Sequence, residues 1–157
     1  MPPRILIVAY GNPLRSDDGV AWRAADLLAQ KFSESKAEIL CLHQLAPELS
    51  ETASHFATVI FIDAAAVEDK TVPGQIHLQE IAPQARADPS RFTHAISPET
   101  VLALAAALYG AKPQAFLVTV TAASFDHGDA LSPSVEAALP TVVSEIERLV
   151  EHTFLKS

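Results

Sequence analysis

The 157-residue chain is predicted to be an α/β layer protein. Three observations carry this. Near-continuous apolar runs at residues 4–10, 57–63 and 115–121 suit strands covered on both faces. Segments of helical period at residues 19–33, 47–55, 98–109 and 133–152 alternate with the strands. One further segment, residues 74–79, has strand composition but alternates apolar and polar, as an edge strand does.

In chain order, Ile5-Leu6-Ile7-Val8-Ala9 forms the first central strand and runs into Tyr10-Gly11-Asn12-Pro13, where Gly-Asn-Pro marks a turn. The helix at 19–33 follows, with Asp17 and Asp18 at its entry. A short strand at 37–42 and a short helix at 47–55 lead to the second central strand, which ends on Asp63. In residues 74–79, Ile76 and Leu78 share one face and Gln75, His77 and Gln79 the other. Residues 80–96 are the longest irregular stretch, and such loops in compact domains are often functional. Ser97-Pro98-Glu99 and Ser132-Pro133 open the last two helices, because serine can cap free N–H groups and proline tolerates the first helical position. In the last helix, Val135, Ala138, Leu139, Val142, Val143, Ile146, Leu149 and Val150 make one apolar face. A single domain over residues 1–157 is expected, with no internal repeat or low-complexity tract.

The formal charge is −8, and the 11 Lys and Arg are scattered. Phosphate-backbone binding needs clustered cations, so no nucleic-acid partner is expected. No apolar run approaches the roughly 20 residues that cross a bilayer, and the first residues lack the pattern of a signal peptide. A cytoplasmic protein without a membrane partner is the expectation. The single cysteine, Cys41, excludes an intrachain disulfide and a cysteine-rich metal site, and it has no sequence-evident activating partner.

Three side chains form a candidate metal-type constellation of two carboxylates and one imidazole: Asp18, Asp63 and His94. Two adjacent acids cannot both cap one helix end, so Asp17 is the capping candidate, with a base or orienting role as its alternative, and Asp18 the outward-facing ligand. A carboxylate after four apolar strand residues, as at Asp63, is costly unless hydrogen-bonded or bound to a cation. Taken alone, His94 reads as an ordinary loop histidine. Asn12 is expected to fix its turn. His43 and Gln44 could line the same mouth, and Asp126-His127-Gly128-Asp129 reads as a loop near it. Ser124 and His127 are no nucleophile-base pair, since the chain has no G-x-S-x-G elbow. The G-x-G-x-x-G fingerprint of dinucleotide binding is also absent.

The run Gly11-Asn12-Pro13-Leu14-Arg15-Ser16-Asp17-Asp18-Gly19-Val20 resembles the opening motif of the nickel-iron hydrogenase maturation endopeptidases. Ile60-Phe61-Ile62-Asp63-Ala64, Pro73-Gly74, Thr93-His94 and Leu131-Ser132-Pro133-Ser134-Val135 resemble further motifs of that family, in order along the chain. The resemblance implies a twisted, mostly parallel five-stranded sheet between two layers of helices, with one antiparallel edge strand, assigned here to 74–79. It implies removal of the C-terminal extension from the precursor of a nickel-iron hydrogenase large subunit after nickel insertion. Asp18, Asp63 and His94 are then the catalytic, metal-contacting residues. The nickel is carried by the substrate, with another divalent metal such as zinc as the alternative occupant. Where several family members have Asp-Gly-Gly after the second strand, this chain reads Cys41-Leu42-His43-Gln44, a difference that bears on which hydrogenase is served. The competing readings are a zinc-dependent hydrolase of small peptides or amides, and a non-catalytic maturation chaperone.

Overall fold

The computed structural model describes residues 5–67, 71–84 and 96–155. Strands β1 (Ile5–Tyr10), β2 (Glu38–Leu42), β3 (Thr58–Ala65), β4 (Ile76–Ile81) and β5 (Gln114–Thr121) form one sheet in the order β2-β1-β3-β5-β4. All neighbours run parallel except β4, which is antiparallel to β5. The three continuous apolar runs are the three central strands, and the alternating segment is an edge. Its strand is displaced to Ile76–Ile81, because Gly74 and Gln75 belong to a turn: the Gly74 amide donates to the Thr121 carbonyl and the Gln75 amide to the Thr121 hydroxyl.

Helices α1 (Val20–Ala29) and α4 (Pro133–Leu155) pack on one face of the sheet, and α2 (Leu49–Ala53) and α3 (Pro98–Tyr109) on the other. The period-2 pattern of the strands divides the core accordingly. Ile5, Ile7, Ala9, Ile60, Ile62, Val118 and Val120 meet Ala24 and Leu28 of α1 and Val142, Ile146 and Val150 of α4. Leu6, Val8, Val59, Phe61 and Ala115 meet Leu49 and Ala53 of α2 and Val101 and Leu102 of α3. Burial of this apolar area on both faces is the main drive for the fold. The exception is Leu78, which shares the α4 face with Ile76 but stays 41% exposed because β4 lies at the rim of that layer.

Helix α1 is shorter than its apolar period suggests. After Ala29 the Lys31 and Phe32 amides both close on the Leu28 carbonyl, and the chain turns toward β2. Ser97 caps α3 as expected, accepting from the Thr100 amide at 3.2 Å. Helix α4 runs through Pro140, which lies on its solvent side, where the missing N–H and the ring are tolerated best. No helix among the described residues is long and apolar enough to cross a membrane.

Strand order reverses at β1: its chain continues to β2 on one side, while β3 lies on the other. In open α/β sheets the crevice at the carboxyl ends of the strands flanking such a reversal is where ligands bind. Here those ends carry Tyr10 and Asp63.

Candidate active site

Register explains why Asp63 is accessible although it lies inside β3. Pairing of β1 with β3 ends at Ala9–Ile62, whereas β5 continues to pair through Asp63–Thr119 and Ala65–Thr121. On the β1 side, Asp63 therefore stands just past the last rung of the ladder. Its Oδ1 accepts from the Ala64 amide at 2.8 Å, and the Tyr10 side chain stands beside it, one rung past the last β1–β3 pair. Burial pushes its carboxyl up to about 7. Tyr10 and the Ala64 amide oppose that shift, and the nearby charge of Asp18 adds to it. Tyr10 is pushed well above the ordinary phenol range, first by burial, then by Asp63, with smaller contributions from Glu99 and Asp18. Three carboxylates thus act on one phenol through their charges.

Asp18 reaches this place through a tight loop. Gly11 leaves β1 with φ +145° and donates to the Leu42 carbonyl. Asn12 folds the turn by accepting the Leu14 amide on its side chain at 2.9 Å, the turn-fixing role expected of it. A 3-10 turn, Ser16–Gly19, precedes α1, and Asp18 Oδ2 accepts from the Asn12 amide at 2.7 Å. A Cβ on Gly11 would sit 2.2 Å from the Asp18 carbonyl oxygen, on top of an unfavourable φ. Gly11→Ala is therefore expected to displace Asp18 and to lower activity by more than tenfold, roughly the effect of a misplacement near 1 Å. Unaltered turnover by this variant would contradict the placement.

Asp17 neither caps a helix nor stands free as a base. It is fully buried. Oδ2 accepts from the Ala123 amide at 2.7 Å, the Ser124 amide at 3.0 Å and the Ser132 hydroxyl at 2.8 Å, and Oδ1 accepts from the Ser132 amide at 2.7 Å. Burial alone would raise its pKa, but these donors outweigh it and hold the carboxyl below its ordinary value. Ser132 still opens α4, as its carbonyl accepts from the Val135 and Glu136 amides, while its hydroxyl serves Asp17 instead of capping. The loop after β5 is sewn to the first loop at further points. The Ser16 amide donates to the Gly128 carbonyl, the Gly128 amide to the Leu14 carbonyl, and Arg15 Nε to the Phe125 carbonyl at 3.2 Å. The Asp126–Asp129 turn thus lies beside the candidate site as a supporting loop.

Asp18 and Asp63 are brought together by these elements. His94 lies outside the described residues, and so does Thr93. Among the described residues, no group of three His, Cys, Asp or Glu side chains could hold a metal ion.

No protein-family model and no curated protein matches the chain. Solved structures do. The hydrogenase maturating endopeptidase HybD from E. coli superposes with a TM-score of 0.76 at 26% identity, over 96% of this chain and 93% of that one. The [NiFe] hydrogenase maturation protease HybD from Thermococcus kodakarensis gives 0.67 at 25% identity, over 94% and 99%. These neighbours bear out the chain's resemblance to the hydrogenase maturation endopeptidases. The HycI protease from T. kodakarensis, at 17% identity and a TM-score of 0.72 over 94% and 92% of the two chains, shares the fold.

The remaining candidates take supporting places. Cys41 lies on β2, its thiol partly covered and pushed up by that covering and by the charge of Asp26, the opposite of nucleophile activation. His43 follows the end of β2 at the same sheet edge. Its ring packs edge-on against Trp22 at 5.2 Å, and Trp22 Nε1 donates to the Leu42 carbonyl at 3.0 Å. Gln44 is exposed beside it. The sequence reading missed Tyr10 as a site residue. Its signal was a polar-tipped aromatic closing an apolar strand immediately before the Gly11 turn.

Proposed function

We propose that this endopeptidase removes the C-terminal extension of a nickel-iron hydrogenase large-subunit precursor once nickel is in place, with Asp18, Asp63 and His94 contacting the metal that the precursor carries. The observation that carries this reading is the Asp18–Asp63 pair at the strand-order reversal. Burial and a neighbouring like charge both act against ionisation of Asp63, a situation that a divalent cation relieves. The donor set suits such an ion. Asp18 commits Oδ2 to the Asn12 amide and Asp63 commits Oδ1 to the Ala64 amide, so each is oriented while retaining oxygen lone pairs for coordination. An imidazole from His94 completes a set of two oxygens and one nitrogen, leaving further positions to the precursor's own ligands.

A metal held there supplies Lewis acidity, polarising the scissile carbonyl or acidifying the attacking water. The chain's own part is positioning. The Asp17 latch fixes the Asp18 loop, the β1–β3 register presents Asp63, and the Ala64 amide orients its carboxylate. Asp17 is excluded as the base, because both its oxygens are committed to four donors.

The test is the intact mass of a nickel-loaded precursor and of a nickel-free precursor, each with the wild-type chain and with the Asp18→Ala, Asp63→Ala, His94→Ala triple variant. The expected result is loss of a short C-terminal peptide only from the nickel-loaded precursor with the wild type. Intact processing by the triple variant would remove the three residues from the mechanism. Binding of the precursor without any change in mass would favour a chaperone, and stoichiometric, tightly held zinc in the purified chain would favour a resident-zinc hydrolase.

A further inference from the structure

The loop that carries Asp18 to the sheet edge can be accounted for donor by donor. Every backbone amide from Gly11 to Asp18 is already given to an acceptor, Pro13 having none to give. None of them is left to meet a substrate. The N–H donors that remain in the loop belong to two side chains, the carboxamide of Asn12 and the guanidinium of Arg15. Arg15 turns its Nε away, to the Phe125 carbonyl of the loop after β5. Asn12 stays at the candidate site, because its own backbone amide donates to Asp18 Oδ2 at 2.7 Å. A backbone N–H can only donate, so the side-chain atom that meets the Leu14 amide at 2.9 Å is Oδ1, and the NH2 group is the part not used by the turn. Nδ2 has no hydrogen-bond partner among the described residues.

We infer that the Asn12 carboxamide is a catalytic donor: Nδ2 hydrogen-bonds the carbonyl oxygen of the scissile peptide bond and stabilises the negative charge that gathers on it. This rests on the function proposed above and extends it to a residue outside the carboxylate-imidazole set. In the hydrolysis, the water oxygen bonds to the carbonyl carbon and the π pair moves onto the carbonyl oxygen. That pair returns as the C–N bond breaks, and the proton given up by the water ends on the leaving nitrogen. Between the two events the oxygen is negative and lies near Asp18 and Asp63, which repel it. A donor aimed at such an oxygen is worth most when it is fixed beforehand. The Oδ1 bond to the Leu14 amide supplies that fixation, since it orients the carboxamide before any substrate arrives. A neutral amide also donates without forming an ion pair with the two acids, as a guanidinium in its place would.

Asn12→Asp and Asn12→Ser each keep an oxygen that can accept the Leu14 amide, and each lacks the NH2 group. Full-length wild type, both variants and Asp63→Asn would be assayed for kcat and KM on the nickel-loaded precursor, with thermal midpoints measured alongside. The expected result for both Asn12 variants is a kcat about a hundredfold lower at nearly unchanged KM, with thermal midpoints close to that of the wild type. Wild-type kcat in both variants would mean that Asn12 serves only its turn, and would overturn the inference. A loss confined to Asn12→Asp would come from its new charge beside Asp18 and would overturn it too. So would a kcat that falls only together with the thermal midpoint, or a raised KM at wild-type kcat. In all of these cases an inactive Asp63→Asn leaves the proposed function standing. Cleavage by Asp63→Asn at the wild-type rate, or none by the wild type, overturns the proposed function and this inference with it.

Discussion

Replacing Asp17 with alanine is expected to cost about 3–5 kcal/mol of folding stability, measured as a shift of the urea midpoint at pH 7. The side chain is fully buried and its two oxygens satisfy three backbone amides and one hydroxyl. Alanine removes the acceptor from all four donors, and each donor that water does not reach in its place costs about 1–3 kcal/mol. Against a total stability of about 5–15 kcal/mol for a domain, that loss leaves a marginal protein. The effect carries a pH signature. The carboxyl lies below its ordinary value of 3.8 in the folded chain, so its contribution is present above that value and lost as pH falls through the depressed folded pKa. The wild type and Asp17→Ala should therefore converge in stability under strongly acidic conditions. A loss under 1 kcal/mol at pH 7 would show that the latch holds nothing.

Asp63→Asn is expected to act in the opposite sense on stability while abolishing processing. Folding raises the carboxyl from 3.8 to about 7, so the folded chain binds more protons than the unfolded one between those values. Stability therefore falls as pH rises through this window, by at most about 1.4 kcal/mol per unit. Asparagine carries no charge to desolvate. Because the carboxylate is only partly enclosed and water absorbs part of the penalty, the gain for Asp63→Asn at pH 8 should be about 2 kcal/mol, vanishing near pH 4. Thermal melts of both chains at the two pH values check this. Equal stability at pH 8 would mean that Asp63 is not electrostatically strained in the metal-free protein. Stability given up at a site that needs a buried, like-charged pair is the expected exchange between stability and activity.

The central strands and the edge were legible because hydrophobic period encodes how many faces of a strand are covered. Asp63 was singled out because a carboxylate directly after an apolar run has to be accounted for, and Asp18 because two adjacent acids cannot both cap one helix end. Asp17 was not, and the reason is physical. Three of its four bonds come from backbone amides, which carry no signature of residue type, and all of its partners lie 106–115 residues away. Local reading could offer only the helix end beside it. The longer span given to the first helix has a similar origin: apolar residues such as Phe32 continue the period after the backbone has already turned, since side chains of a tight turn can also pack on the core. Tyr10 was passed over because an aromatic at the end of an apolar run reads first as core, and only the offset between the two ladders of β3 shows that it stands beside Asp63.

The latch also sets an order of events. Residues 11–19 and β1 are made first, yet the groups that fix Asp17 belong to the segment after β5 and to the start of α4. During synthesis, a nascent chain extended as far as α3 contains both candidate carboxylates but lacks the donors for Asp17, which come more than a hundred residues later. Closing so distant a contact is entropically slow and comes late in folding. The Asp18 loop thus takes its final shape only after the sheet is complete, so partly synthesised chains carry the two acids without the geometry that brings them together.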